Sequence, residues 1–403
     1  MTKRWGWWVL GAAILALIVA SVLARSDASS APSAAGSAVG VVDPTTGAIL
    51  VDLDDDAGEA ERAEVVQRLA AAIAPFSWPT TEAGLGERLS EAAQLYRVRV
   101  PASEVADVLS GVGADEDVEG VEVERAWSLP PLEASMRGPL ARRDSDRFVP
   151  NDPYYDPYQW HLAQIGMPEA WSRARGAGAV VAVIDTGVAY RTEGSFTQAP
   201  DLAQTQFVDG WDFIGDDAHP DDDHGHGTHV AGTIAQSTNN GLGVAGVAPE
   251  ASIMPLKVLD RNGSGGWGAI AAAIRWAADH GANVINMSLG GGMPSRTVQR
   301  AIDYAHEKGV LVVAAAGNSG RSRVEYPARH EHVLAVGAVR FDRELTFYSN
   351  YGEGLDIVAP GGDLRVDQNG DGMPDGVLQN TLVGGDPNRF DYLAWQGTSM
   401  ASP

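Results

Sequence analysis

The stretch Ala179-Val180-Val181-Ala182-Val183-Ile184, followed directly by Asp185, decides the fold. An unbroken apolar run of this length is typical of a strand that is buried on both faces of a sheet. Alternation of such strands with helical patterns predicts an α/β fold whose mostly parallel sheet is doubly wound. Further strands are predicted at Ala251–Leu259, Asn283–Met287, Val310–Ala315 and His332–Val339, and helices at Thr228–Gln236, Trp267–His280 and Thr297–Lys308.

Chemically reactive side chains follow the predicted strands, at the carboxyl edge where such sheets place their active sites. Asp185 ends the first strand, and His226 opens a helix within Gly225-His226-Gly227-Thr228-His229. Asn318 follows the strand Val310–Ala315, and Ser399 lies at a strand-to-helix turn in Gly397-Thr398-Ser399-Met400-Ala401. An acid, a base, an amide donor and a hydroxyl are the groups that nucleophilic catalysis by serine requires.

These motifs resemble those of the subtilisin-like serine proteases, the subtilase family, in the order Asp, His, Ser over residues 151–403. The resemblance implies that Ser399 attacks a peptide bond, His226 is the general base and Asp185 orients it. The Ser399 N–H and the Asn318 amide would hold the oxyanion. The family resemblance further implies an exported endopeptidase, made as a self-processing zymogen, that acts on proteins or peptides without an organic cofactor.

The same resemblance implies a cleft in which substrate lies as an extended strand. Its two sides would be Gly263, Ser264 and Gly265, and Ser288, Leu289 and Gly290; the first pocket would add Ala315, Ala316 and Gly317, with Glu325 at its far end. Two interpretations of Glu325 remain open. It faces the pocket and favours Arg or Lys, or it points to solvent beside Arg321 or Arg323 and leaves an apolar-tolerant pocket.

Calcium is the metal that the resemblance implies. The first predicted site uses hard oxygen ligands from the loop Thr238–Val244 and two carboxylates, namely Asp152, Asp201, Thr238, Asn240, Leu242 and Val244. A second candidate has the spacing that opens an EF-hand loop, at Asp367, Asn369, Asp371 and Asp375. Leu378 stands where that loop would need a closing acid, so an acidic solvated loop is the alternative.

The amino-terminal part is divided by composition. Residues 1–24 have Lys3 and Arg4 before an uncharged apolar run and are predicted to be an export signal, or a membrane anchor if uncleaved. Residues 25–40 form a low-complexity linker, and 134–150 form an Arg-rich linker suited to proteolytic processing. Residues 151–403 are the catalytic domain. Because of the predicted export signal, the protein is expected outside the cytoplasm, secreted or anchored.

Residues 41–133 are predicted to be a small α+β, ferredoxin-like prodomain that inhibits the catalytic domain intramolecularly. Strands are predicted at Gly47–Leu53, Leu95–Val100 and Val118–Val123, with helices at Glu59–Ile73 and from a Ser103 cap through Leu109. Between Gly40 and Glu133 there are 20 Asp and Glu residues against 6 Arg, spread as on a solvated face.

Other functional classes were weighed against these motifs. The net charge of −24 argues against nucleic-acid binding, and the absence of cysteine excludes thiol nucleophiles and disulfides. His224, His226 and His229 could instead bind a metal. An esterase of the α/β-hydrolase type would need a G-x-S-x-G motif, which this sequence lacks. Because the family's serine opens a long helix and only four residues follow Ser399, we expect a C-terminally incomplete sequence, whose alternative role is a silent binding or inhibitor module.

Overall fold

The computed structural model describes residues 46–54, 59–73, 85–90, 94–129, 148–291 and 293–403. The predictions for the signal, the low-complexity linker and most of the Arg-rich linker lie outside these residues. Within the described part of the chain, no helix is both long enough and apolar enough to cross a membrane.

A four-stranded antiparallel sheet with two helices forms the first folded part. Its order is β2-β3-β1-β4, as the alternating strand and helix patterns led us to expect for an α+β unit. Ile49 and Val51 of the central strand face the helices, whereas Leu50 packs into the core of the following part. The elements are β1 (Thr46–Leu53), α1 (Glu59–Ile73), β2 (Glu87–Ser90), β3 (Leu95–Pro101), α2 (Val105–Val112) and β4 (Val118–Val123).

The second part contains a parallel sheet with helices on both faces. The chain enters it through β5 (Ala126–Ser128), the last strand of the first part. The elements of the second part are α3 (Tyr155–Tyr158), α4 (Trp160–Gln164), α5 (Met167–Ala170), β6 (Val180–Asp185), β7 (Gln206–Phe207), β8 (Trp211–Asp212), α6 (His226–Ala235), β9 (Ser252–Lys257), β10 (Ser264–Gly266), α7 (Trp267–Asp279), β11 (Val284–Met287), α8 (Arg296–Glu307), β12 (Leu311–Ala315), β13 (Val333–Val339), β14 (Ile357–Pro360), β15 (Val377–Val383), β16 (Asp386–Trp395) and α9 (Thr398–Ala401).

The main sheet has the order β14-β13-β12-β11-β6-β9-β7, with β8 also pairing with β9, and every pair is parallel. Successive side chains of β6 lie on opposite faces of the sheet: Ile184 packs with α7 and α8, and Val183 packs with α6. Burial on both faces explains the unbroken apolar run of this strand. The predicted α/β fold with a mostly parallel, doubly wound sheet is confirmed.

Several local expectations were wrong. Ser103 does not cap a helix ending at Leu109: a short 3₁₀ turn spans Ala102–Glu104, and α2 then runs to Val112 without a side-chain cap. The helix expected from Thr228 already begins at His226. The antiparallel hairpin of β15 and β16 was not predicted, since its strands are rich in polar residues and alternate only weakly.

Acidic side chains of the first part bind basic and amide groups of the second. The Asp52 carboxylate accepts hydrogen bonds from the Arg300 guanidinium at 2.6 and 2.9 Å. Glu122 accepts from Ser295 and from the Arg296 backbone N–H, at the start of α8 where the helix dipole favours negative charge. These contacts join the four-stranded sheet to α8 of the parallel-sheet part.

We expect Ile285→Ala to lower the free energy of unfolding by about 2–5 kcal/mol, because this β11 side chain is fully buried and its removal leaves a cavity. The matched control is Ile165→Ala, which removes the same atoms from a side chain that is 46% exposed. It should change the free energy of unfolding by less than about 0.5 kcal/mol. Urea denaturation measures both. Equal losses in the two variants would contradict the placement of Ile285 in the core.

Candidate active site

A buried carboxylate, that of Asp185, fixes the orientation of the His226 ring. Its Nδ1 lies 2.7 Å from Asp185 Oδ1, and the two side chains are 1% and 0% exposed. Asp185 ends β6 and His226 begins α6, so the last residue of a strand meets the first residue of a helix. An Nδ1–H that donates to the carboxylate leaves Nε2 as the acceptor nitrogen of a neutral imidazole.

A second buried carboxylate, that of Asp222, holds the start of α6 in place. It accepts hydrogen bonds from the Thr186 hydroxyl at 2.9 Å and from both N–H and hydroxyl of Thr228 at 3.0 and 2.6 Å. It also accepts from the backbone N–H groups of His224 and Gly225. The sequence analysis did not predict this positioning role, because nothing local in the sequence distinguishes Asp222 from its acidic neighbours Asp221 and Asp223.

The Ser399 turn is fastened to the strand that ends at Met287. The Ser399 hydroxyl donates to the Ser288 carbonyl at 3.0 Å, and the Ser288 hydroxyl donates to the Ser399 carbonyl at 2.8 Å. Gly397, with φ 153°, permits the sharp entry into α9. The Ser399 hydroxyl therefore has to leave the Ser288 carbonyl before it can donate to His226.

The Asn318 side chain is oriented by the same turn. Its Oδ1 accepts from the Thr398 N–H at 2.9 Å and from the Thr398 hydroxyl at 2.8 Å. Because both partners are donors, this oxygen assignment is chemically required, and the amide Nδ2 points the other way as a donor. An ideal Cβ on Gly397 would lie 3.6 Å from Nδ2, which places this donor beside the entry to the Ser399 turn.

Trp395, which the sequence did not single out, stacks on the histidines. Its ring lies 4.5 Å from that of His229 and 6.4 Å from that of His226, nearly parallel to both. His229 Nε2 lies 3.1 and 3.2 Å from the carbonyls of Val377 and Leu393, so this nitrogen carries a proton and donates. Burial lowers the pKa of His229 to about 3, which keeps it neutral. The three histidines do not converge as metal ligands.

The predicted cleft receives a strand from the chain itself. β5 pairs antiparallel with β10, with Ser128 opposite Ser264 and Trp127 opposite Gly265. The Leu129 N–H then donates to the Gly263 carbonyl at 2.7 Å. The expected cleft residues on this side, from Gly263 to Gly265, thus present their main chain to an extended segment.

The opposite side of the cleft brings together the other expected substrate residues. The Glu325 N–H donates to the Ala316 carbonyl at 3.0 Å, and Tyr326 exchanges two backbone hydrogen bonds with Gly291. The Glu325 side chain accepts from the Ser319 hydroxyl at 2.8 Å rather than pairing with Arg321 or Arg323. Ser288, Leu289, Ala315 and Gly317 continue the same wall, and Leu289 and Ala316 are buried in its core.

The residues of the first predicted calcium site lie together. Asp152 accepts from the backbone N–H groups of Asn239 and Asn240, and Asp201 accepts from the Asn240 amide and the Val244 N–H. Leu242 and Thr238 belong to the same loop, through hydrogen bonds to Asn240 and Gly246. Burial raises the pKa of Asp201 to about 7 and also raises that of Asp152.

The second predicted loop is also compact. Asp367 accepts from the N–H groups of Gly370 and Gly372, and Asn369 and Asp371 bond each other. Asp375 is 1% exposed, and its Oδ1 has no hydrogen-bond partner among the described residues. Across the described ranges, no group of three or more His, Asp or Glu side chains converges at metal-binding geometry.

Comparisons with known proteins agree with this geometry. Thermitase of Thermoactinomyces vulgaris is 45% identical over 214 residues, which cover 53% of this chain and 74% of thermitase. A thermophilic serine proteinase of Bacillus sp. strain AK1 is 40% identical over 323 residues, 76% of this chain and 74% of that protein. Among solved structures, a protease of Pseudoalteromonas arctica PAMC 21717 is 36% identical with a TM-score of 0.54, covering 63% of this chain and 84% of that one.

The subtilase family itself matches residues 176–403, which is more than half of the chain and includes Asp185, His226, Asn318 and Ser399. The fold and the relatives agree on the family. The chain belongs to the subtilase family and is a subtilisin-like serine endopeptidase.

Proposed function

We propose that this endopeptidase cleaves peptide bonds with Ser399 as nucleophile, His226 as general base and Asp185 as the group that orients the imidazole. The observation that carries the proposal is the buried 2.7 Å contact between His226 Nδ1 and Asp185 Oδ1, at the carboxyl edge of the sheet where the Ser399 turn also lies. A neutral imidazole held in this tautomer has the acceptor nitrogen that a serine proton requires.

The chemical steps follow from these positions. The Ser399 hydroxyl leaves the Ser288 carbonyl, gives its proton to His226 Nε2, and its oxygen forms a bond to the substrate carbonyl carbon. The negative charge on the carbonyl oxygen is then bound by the Ser399 N–H and Asn318 Nδ2. His226 passes the proton to the departing amine as the C–N bond breaks, and water reverses the sequence to release the acyl product.

The Trp395 ring supports this arrangement. It stacks directly on His229, lies nearly parallel to His226 at 6.4 Å between ring centroids, and is 3% exposed, so it contributes to the apolar surroundings of the base. Electrostatic interactions inside the site are strengthened where water is excluded. Trp395 is carried by β16, which makes the hairpin part of the active-site wall.

The first folded part is proposed to be an intramolecular inhibitor, with the chain made as a zymogen. Three observations support this: β5 lies on β10 as a substrate strand would, Leu129 continues that pairing at Gly263, and Asp52 binds Arg300 on α8. An antiparallel strand added to the edge of the cleft blocks access to Ser399. Release requires cutting of the chain beyond Leu129, which the Arg-rich linker 134–150 offers.

Calcium is proposed as a structural ion. Asp152 and Asp201 are 3% and 0% exposed, and neither is in an ion pair with a basic side chain among the described residues. Two buried carboxylates without a basic partner are costly, and a divalent cation would compensate them. Oxygen atoms of Thr238, Asn240, Leu242 and Val244 would complete the set. The loop Asp367–Asp375, with its unpartnered Asp375 Oδ1, is a second candidate.

Export is proposed from the sequence of residues 1–24, with a cleaved signal or an uncleaved anchor as the two outcomes. Because the sequence has no cysteine, it places no requirement on the redox state of the compartment.

Ser399→Ala is expected to abolish peptide hydrolysis and to leave the precursor unprocessed, since removal of the nucleophile costs about 10⁶ in kcat, a value measured in subtilisin, a member of this family. The matched control is Ser195→Ala, in an exposed loop, which should leave both unchanged. Hydrolysis of a casein-derived peptide and the mass of the purified chain give the two readouts. Processing and turnover by Ser399→Ala would contradict the assignment.

Asp201→Ala is expected to remove most of the stabilisation by calcium. A ligand at one hundred times its Kd stabilises the folded state by about 2.7 kcal/mol, so Tm should rise with calcium in the unmodified protein and stay nearly level in the variant. Asp209→Ala, at an exposed position, is the control. Thermal melts with and without a chelator test this; the same calcium response in both variants would remove Asp201 from the ligands.

A further inference from the structure

Two wall segments lie beside the Ser399 turn, and we call the region between them the slot. One wall follows β11 at Ser288–Gly291, and it is joined to the turn through the hydrogen bonds between Ser288 and Ser399. The other follows β12, and the Gly317 N–H donates to the Thr398 hydroxyl at 3.2 Å. A side chain that reaches from a substrate carbonyl held at Ser399 therefore has these two walls as its immediate surroundings.

Glu325 closes the far end of the slot. Its N–H bonds the Ala316 carbonyl at 3.0 Å, while the neighbouring Tyr326 bonds Gly291 at 2.6 and 2.9 Å, so the segment is fixed to both walls. An ideal Cβ on Gly317 would lie 2.6 Å from Glu325 Oε2, and one on Gly290 would lie 3.7 Å from it. The carboxylate therefore lies against Gly317, where a side chain would displace it, and near Gly290, so it is between the two wall segments.

The carboxylate in this slot has no basic partner of its own. Glu325 is half-buried and accepts a hydrogen bond from the Ser319 hydroxyl at Oε1. It takes part in none of the ion pairs found within the described ranges, and Arg321 and Arg323 are exposed. A carboxylate held partly out of water gains more from an opposite charge than a fully exposed one does.

We propose that Glu325 makes this endopeptidase select arginine or lysine as the residue before the cleaved bond. The inference rests on the proposed function, because it takes Ser399 as the point of attack. A long side chain with a cationic end spans the slot, and its N–H groups donate to Glu325 Oε2; Arg adds a planar pair of donors that suits a carboxylate. An apolar side chain in the same slot would leave the carboxylate desolvated without a partner.

The arginines of the proposed processing linker independently favour the same preference. The linker at residues 134–150, where processing is proposed, contains Arg137, Arg142, Arg143 and Arg147 and no lysine. A protease that recognises arginine before the bond would find substrates in its own linker.

The test uses peptides that are identical except for Arg, Lys, Leu or Phe before the cleaved bond, with kcat/KM measured for each. In the unmodified protein Arg and Lys are expected to be preferred over Leu. Glu325→Gln, which keeps the shape and removes the charge, should lower kcat/KM for Arg and Lys about 10- to 100-fold, the size of a hydrogen bond to a charged group, and leave Leu and Phe within about threefold.

Two further variants separate charge recognition from support of the fold. Ser319→Ala removes the hydrogen bond to Oε1 but keeps the carboxylate, and it should retain the preference for Arg. Glu307→Gln, at an exposed position near the end of α8, should behave as the unmodified protein.

The remaining results overturn the proposal in distinguishable ways. An equal loss on all four peptides in Glu325→Gln shows that Glu325 only supports the wall. An unchanged preference in Glu325→Gln, or a preference for Leu and Phe in the unmodified protein, shows that the charge does not select the substrate. Cleavage of none of the peptides by the unmodified protein contradicts the proposed function and the specificity together.

Discussion

The hydrogen bond between His226 and Asp185 is the contact on which the rest of the site depends. It can form only because β6 ends where α6 begins, and because both side chains are withdrawn from water. The Asp222 carboxylate fixes that junction by accepting from Thr186, Gly225 and Thr228. Gly225, with φ 105°, provides a backbone conformation that a side chain would strain. The proposed catalytic base is thus oriented by the end of one strand and the start of one helix.

The same edge of the sheet also organises the cleft. β10 leads directly into α7 and offers its main chain to β5, while the segments after β11 and β12 meet at the Ser399 turn. The main chain of β10 thus binds an extended segment of the chain itself. A Cβ on Gly263 would lie 3.0 Å from Leu129, so the close approach of these two main chains favours glycine there.

Much of the fold could be predicted because its signals are local. The apolar run that ends at Ile184 reports burial on both faces, and Asp185, His226, Asn318 and Ser399 follow strands or open helices as a parallel sheet requires. Asp222, Trp395 and the pairing of β5 with β10 could not be predicted. Their roles depend on partners far away in the sequence, and an Asp among other acids or a Trp in a weakly alternating strand has no distinguishing pattern of its own.

Side-chain direction is the other property that the sequence did not determine. The two interpretations of Glu325 differ only in where one carboxylate points, and in the structure it accepts from the Ser319 hydroxyl and lies against Gly317 rather than beside Arg321 or Arg323. The Ser399 hydroxyl, expected beside His226, instead donates to the Ser288 carbonyl. The direction of such a side chain depends on competing hydrogen bonds whose free energies differ by only about 1 kcal/mol. The spacing of apolar residues in the sequence does not report such differences.

The most direct test of the central claim is labelling of the serine by a peptidyl phosphonate, followed by peptide mapping. If the buried Asp185 makes His226 a base for Ser399, the label is found on Ser399, and Asp185→Asn slows labelling by several orders of magnitude, as loss of the tautomer-fixing acid costs about 10⁴ in kcat in a serine protease of another fold. Equal labelling rates in the two proteins, or a label on any other residue, would contradict the account.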